Sequence, residues 1–215
     1  LEYESDLVER ALRSVIQHQE DVAYVFLGSR KHLIQKMFLD ESRPLYRSAG
    51  HYPLSPIEEK DWIPFIASRF HDGGRTIEDA HISRVCELTQ GHPFYTQHLC
   101  HALWEICETG GEVDEAMIDA ALRILLEREG FAYTTLWDTL SRNQRRFLVG
   151  LAVEPADVQP FSSAFTRRYG LRSASNAQRA VEGLLEKDVI DREDRSYVIT
   201  DRFFRLWIQR VPGNR

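Results

Sequence analysis

No stretch of this sequence approaches the roughly 20 consecutive apolar residues that a membrane-spanning helix needs. Nor does the chain open with the basic, apolar and small-residue succession of a signal peptide. Cysteine is scarce. The three present, Cys86, Cys100 and Cys107, are odd in number and have neither metal-ligand spacing nor the look of a disulfide framework. These absences lead us to expect a soluble protein in a reducing, cytoplasmic compartment. Catalytic signatures are missing too. There is no Gly-x-Ser-x-Gly elbow, no His-Glu-x-x-His pair and no Gly-x-x-x-x-Gly-Lys-Ser/Thr phosphate loop. The pairs Gly73-Gly74 and Gly110-Gly111 lack the lysine of such a loop. The carboxylates Glu58-Glu59, Asp72 and Glu78-Asp79 fall at capping or solvated positions. No catalytic or metal-binding residue is expected, and the start at Leu1, without an initiator methionine, suits a piece of a longer protein.

What is present is a 215-residue chain with 43% hydrophobic and 28% charged residues, an ordinary globular composition. Its net charge of −6 is unevenly spread. Residues 1–132 hold 13 Lys/Arg against 23 Asp/Glu, and residues 133–215 hold 14 against 10. Such asymmetry suggests parts with different partners.

The front of the chain reads as α/β. Leu7, Val8, Ala11, Leu12, Val15 and Ile16 recur at helical spacing, and Val22–Leu27 is an unbroken run expected to form a strand buried on both faces. Gly28-Ser29-Arg30 follows it, at the strand end where open α/β sheets gather ligands. A short apolar stretch around Tyr52–Leu54 leads to Ser55-Pro56-Ile57-Glu58, a helix-start signature. Pro64 then implies a kinked helix or one restarted at Asp61. From there to Gly130 the periodicity predicts four helices without strands. Their expected stops are Gly91, Gly110-Gly111 and Gly130, and Asp114 is the cap of the last.

The final stretch changes character. Ser141–Gln144 forms a capping box, a second helix runs from about Phe161 to Gly170, and Ser175–Gln178 reads as another capping box. The segments Val189–Arg192 and Tyr197–Thr200 flank a polar turn. Three helices and a hairpin make a winged helix, closed by a helix that Asp201 caps and that buries Phe203, Phe204 and Trp207. The expected fold class is mainly α: residues 1–55 the remnant of an α/β nucleotide-binding core, 56–130 a helical lid bundle, 131–215 a winged-helix domain.

Three segments carry a resemblance: Phe26-Leu27-Gly28-Ser29-Arg30, Gly91-His92-Pro93-Phe94-Tyr95-Thr96-Gln97, and Tyr197 through Trp207. Their order resembles that of archaeal-type ATPases of the AAA+ and STAND P-loop group, over nearly the whole chain. The resemblance implies an ATP-binding switch whose phosphate loop and acidic Mg-binding strand would lie upstream, in an N-terminal P-loop half. ATP and Mg would then be cofactors of the complete protein, and the chain alone would be inactive. It also implies that Ser29 and Arg30 occupy a sensor position after a core strand, and that Gly91, His92 and Pro93 form the lid motif near the nucleotide. Arg30 reads equally as the start of a solvated turn, and Gly91 and Pro93 as a helix cap and a first helical residue. His92, at a helix N-terminus, sits where an anion is favoured.

Two other readings stand beside the switch. A DNA-binding winged helix would use Ser175, Asn176, Arg179, Arg192 and Arg195 on phosphates and base edges. Glu182, Glu186, Asp188, Asp191, Glu193 and Asp194 crowd the same surface and oppose the counterion release that drives such binding. A protein-interaction adaptor would bind neither ATP nor DNA. The cluster His92, His98, Cys100 and His101 matches no zinc spacing, and Cys100, Leu103 and Cys107 read as core.

Overall fold

A computed structural model describes residues 6–28, 31–52, 54–155, 158–193 and 196–210, the side chains of Lys31, His32 and Glu193 excepted. The chain divides into two units, Leu1–Leu54 and Ser55–Arg215. Throughout, it is mainly helical, as the apolar periodicity requires.

The first unit contains helices α1 (Leu7–Ile16) and α2 (Lys31–Leu39). Glu9 of α1 is buried and paired with Arg43, while Arg13 donates to the Pro44 carbonyl. Val22–Leu27 has no regular secondary structure and joins no ladder, and Val25 and Leu27 are 78% and 85% exposed. The expected doubly buried strand is therefore corrected. A buried strand needs pairing partners on its edges, and no described residue supplies one.

The second unit begins with an extended strap rather than a helix. Helix α3 (Glu59–Asp72) starts four residues beyond Ser55, and the Ile57 N–H just before it donates to the Gly91 carbonyl (3.1 Å). Pro64 lies inside α3 with no restart at Asp61. Its ring faces solvent, where water can satisfy the carbonyl left without an amide donor. Helices α4 (Asp79–Thr89), α5 (Pro93–Ile106) and α6 (Glu115–Asp138) complete the bundle. Asp114 caps α6 by accepting from Met117 N (2.8 Å).

Two expectations for this region change. A two-residue parallel ladder joins β1 (Thr76–Ile77) to β2 (Glu112–Val113), held by the glycine turns beside it. Gly110 N donates to Gly74 O (2.6 Å), and Gly73 lies flat against Trp104, where a Cβ would come within 1.6 Å of the indole. The other change concerns Gly130, which does not stop α6. The helix runs 24 residues straight through it, since Gly at a helical φ costs only about 1 kcal/mol relative to Ala and both flanking turns are packed.

Residues beyond α6 form α7 (Arg142–Val153), α8 (Ser163–Arg168), α9 (Ala174–Glu186), an antiparallel hairpin of β3 (Ile190–Glu193) and β4 (Ser196–Ile199), and α10 (Arg202–Arg210). The Ser141 box on α7 is complete, with Gln144 reciprocating. On α9 the cap is Ser173, which accepts from Asn176 N (3.2 Å), and Ser175 lies inside the first turn. One hydrophobic cluster runs from Trp62 and Ile82 through Leu122 and Phe147 to Phe204 and Ile208, so bundle and winged helix share a core.

Gly130→Ala should raise stability by about 0.5–1 kcal/mol, because nothing lies within 4 Å of the added Cβ. A thermal melt should shift upward by about 1–3 °C; a downward shift would contradict the continuous helix.

Candidate functional site

The Gly91-His92-Pro93 turn joins α4 to α5. Gln90 and Gly91 both adopt left-handed backbone, with φ of 55° and 65°, which lets Gly91 N reach back to Cys86 O (3.1 Å) and close α4. Glycine is required by space as well as by φ, since a Cβ at 91 would stand 2.4 Å from the Ile57 carbonyl. The Gly91 carbonyl accepts from Ile57 N and from the buried Trp62 indole (3.2 Å). Pro93 is the first residue of α5 and His92 its N-cap, with no side-chain cap bond. A buried threonine pair fixes the two helices below the turn. The Thr89 and Thr96 hydroxyls lie 2.7 Å apart, and Thr89 also donates to Val85 O (2.8 Å).

Helix geometry leaves the first-turn N–H groups of Phe94 and Tyr95 without intrahelical acceptors. The His92 ring stands edge-on to Tyr95 at 4.9 Å, and Phe94, 60% exposed, packs against Tyr95 and His98. Gly91, His92 and Pro93 are thus brought together in one turn. Ser29 and Arg30 lie outside the described residues.

The site extends into α10. Tyr95 and His98 pack on Phe203 at 5.0 and 5.7 Å. Asp201 caps α10, its Oδ1 accepting from Phe203 N (2.8 Å) and Phe204 N (3.0 Å). Its other oxygen accepts from the Tyr133 hydroxyl (3.0 Å), and the Tyr95 phenol lies close enough to feel the charge of the same carboxylate. One carboxylate thereby collects donors from α6 and α10. Burial, and next the Asp201 charge, push both phenols well above their usual range. The sequence reading placed Tyr95 and Asp201 in separate segments and missed that they meet; Tyr133 had no signal beyond its place on the apolar face of α6.

The thiols are packing residues. Cys86 and Cys107 are buried, and desolvation raises Cys86 to about 11 and Cys100 to about 12, which keeps both unreactive at neutral pH.

On the winged helix, Ser175 and Arg179 are exposed on α9 and Arg192 is exposed on β3. Asn176 is half-buried, its N–H taken by Ser173. Arg195 lies outside the described residues. Glu182 and Glu186, also exposed, continue the helical stripe of Ser175 and Arg179 at i+7 and i+11, so the outward face of α9 is mixed in charge. The Arg192 N–H is bound by the Asp191 carboxylate (2.7 Å).

Residues 131–210 match a family described as a probable winged helix domain, the region that α7–α10 and the hairpin build with the end of α6. The C-terminal part of the chain is a winged-helix domain. No curated protein matches the chain. No described helix is long and apolar enough to cross a membrane.

Stability should fall above about pH 10. With both phenol pKa values raised on folding, the protons are held by both states below pH 10; above it the unfolded chain releases them first, and stability drains away. Urea titrations from pH 9 to 11 should show a smaller decline for Tyr95→Phe/Tyr133→Phe than for the wild type. Equal slopes would place these hydroxyls outside the Asp201 network.

Proposed function

We propose that this chain is the helical-lid and winged-helix portion of an ATP-binding switch protein of the AAA+/STAND kind, acting in the cytoplasm. Its Gly91-His92-Pro93 turn senses nucleotide held by a P-loop half outside the chain. One observation carries this reading: Tyr95, two residues past Pro93, packs its ring against Phe203 in the first turn of α10 of the winged helix (5.0 Å). A displacement of the turn therefore has a direct mechanical route into the winged helix. The local chemistry suits an anionic ligand, because the N-terminus of α5 offers first-turn N–H groups and the His92 ring. ATP and Mg would supply the phosphate charge whose presence or loss moves the turn. Within this chain Gly91 shapes the turn, His92 meets the anion, Pro93 sets the direction of α5, and Tyr95 passes the displacement to Phe203. Ser29 and Arg30 are the proposed second sensor.

The 215-residue chain alone should show no ATP turnover, and turnover above background would overturn the proposal. The product of the gene's full reading frame should bind a fluorescent ATP analogue, and His92→Ala should weaken that binding by about threefold to tenfold, the worth of a helix-terminus charge contact. Tyr95→Ala, which removes the ring that packs on Phe203, should leave affinity intact but abolish nucleotide-dependent hydrogen-exchange changes in α10. Unchanged affinity in the first variant together with unchanged exchange in the second would sink the reading.

The winged-helix match favours a second reading, duplex DNA binding through Ser175, Asn176, Arg179, Arg192 and Arg195. It predicts affinity that falls steeply with salt and that drops in Arg179→Ala. With Glu182 and Glu186 on the same stripe, we expect no measurable binding to a 30-base-pair duplex at about 150 mM salt; sequence-selective retention there would favour DNA contact over an intramolecular role.

A further inference from the structure

The second half of α6 is unusual for a solvent-facing helix. Residues 130–137, Gly-Phe-Ala-Tyr-Thr-Thr-Leu-Trp, carry no charge. Phe131, Ala132, Thr134 and Thr135 are nevertheless exposed, Phe131 by 87%, the highest value among the described large apolar side chains. Tyr133, Leu136 and Trp137 on the opposite side pack into the core, so the exposed stripe is a second, uncharged face that the described residues of the second unit leave open. Beside it lies an open groove of about 390 Å³, walled by Leu126, Gly130 and Thr134 of α6 and by Trp207 of α10. Gly130 leaves a notch there, with nothing within 4 Å of a Cβ position.

We infer that this face is a self-association surface on which α6 of a second copy lies antiparallel, the two-fold axis passing between Gly130 and Phe131. Helical geometry places Arg123, Glu127, Gly130, Phe131, Thr134 and Asp138 within about 100° of one another on the helix surface. Reversing the helix about that axis sets Arg123 of one copy beside Asp138 of the other and Glu127 beside Thr134. The two Phe131 rings then meet near the axis, and Gly130 lets the backbones approach. Arg123 and Asp138 are both exposed. The Asp138 carboxylate has one local contact, to Arg145 at 3.5 Å, long enough to leave it open to a second cation. At the groove Glu127 balances Arg210, so no net charge opposes the approach. The pairing spans about 22 Å of helix and, being two-fold, closes at two copies without propagating.

Sedimentation of the whole chain should show a monomer–dimer equilibrium in the micromolar range, and a monomer up to about 200 μM would overturn the inference, since a specific contact weaker than that is hard to tell from non-specific association. Phe131→Glu should give a monomer with an unchanged far-ultraviolet circular-dichroism spectrum, its melt no longer dependent on protein concentration. Arg123→Asp and Asp138→Arg should each weaken association about tenfold, because each sets like charges together at two symmetric positions. The Arg123→Asp/Asp138→Arg double variant should recover most of that loss. A double variant as weak as either single variant would exclude this antiparallel pairing even if a dimer forms.

Discussion

Asp201 is the residue on which the second unit depends. Its carboxylate satisfies the first turn of α10 and takes the hydroxyl of Tyr133, with the Tyr95 phenol close by. A buried phenol needs a partner, and a half-buried carboxylate needs donors; here each meets the other's demand at one point. The aromatic side chains follow from that anchoring: Phe203 against Tyr95 and His98, and Phe204 between Tyr133 and Trp137. The helical bundle and the winged helix are therefore bonded to one another at the start of the final helix.

Helix α6 makes the second connection. Its first half packs in the bundle through Ile118, Leu122 and Leu125, and its second half reaches the winged helix through Tyr133. A glycine in mid-helix is compatible with this because packing on either side outweighs its modest intrinsic cost. A rigid rod and a charged clasp together mean that bundle and winged helix are built to move as a body or not at all, which is the property a nucleotide-driven switch would need in this region.

Much of the fold was legible in the sequence where the determining forces are local. Ser141 and Gln144 sit three apart and cap α7 as read; Asp114 and Asp201 cap as read; Phe203 and Phe204 are core as their spacing implied. The winged helix followed from three amphipathic helices and a hairpin. Reading failed where a distant partner decided the outcome. Helix α3 starts only at Glu59, after a segment tied to the distant Gly91 through Ile57. Ser173 displaced Ser175 as the cap because Arg172, with φ of 63°, turns the chain just before it. Val22–Leu27 had the composition of a buried strand, but composition cannot provide a neighbour to pair with.

Of the candidate site, the sequence by itself determined the turn: a glycine that must adopt positive φ, a proline that opens a helix, and a histidine between them at the helix N-terminus. Those follow from the backbone freedom of single residues and hold wherever the chain folds. Only the tertiary structure decided what the turn is attached to. That Tyr133 should bond Asp201, 68 residues further along the chain, with Tyr95 beside them depends on three helices converging, and no local periodicity encodes such a meeting, since the hydroxyl and the carboxylate would be equally content with water until burial removes it.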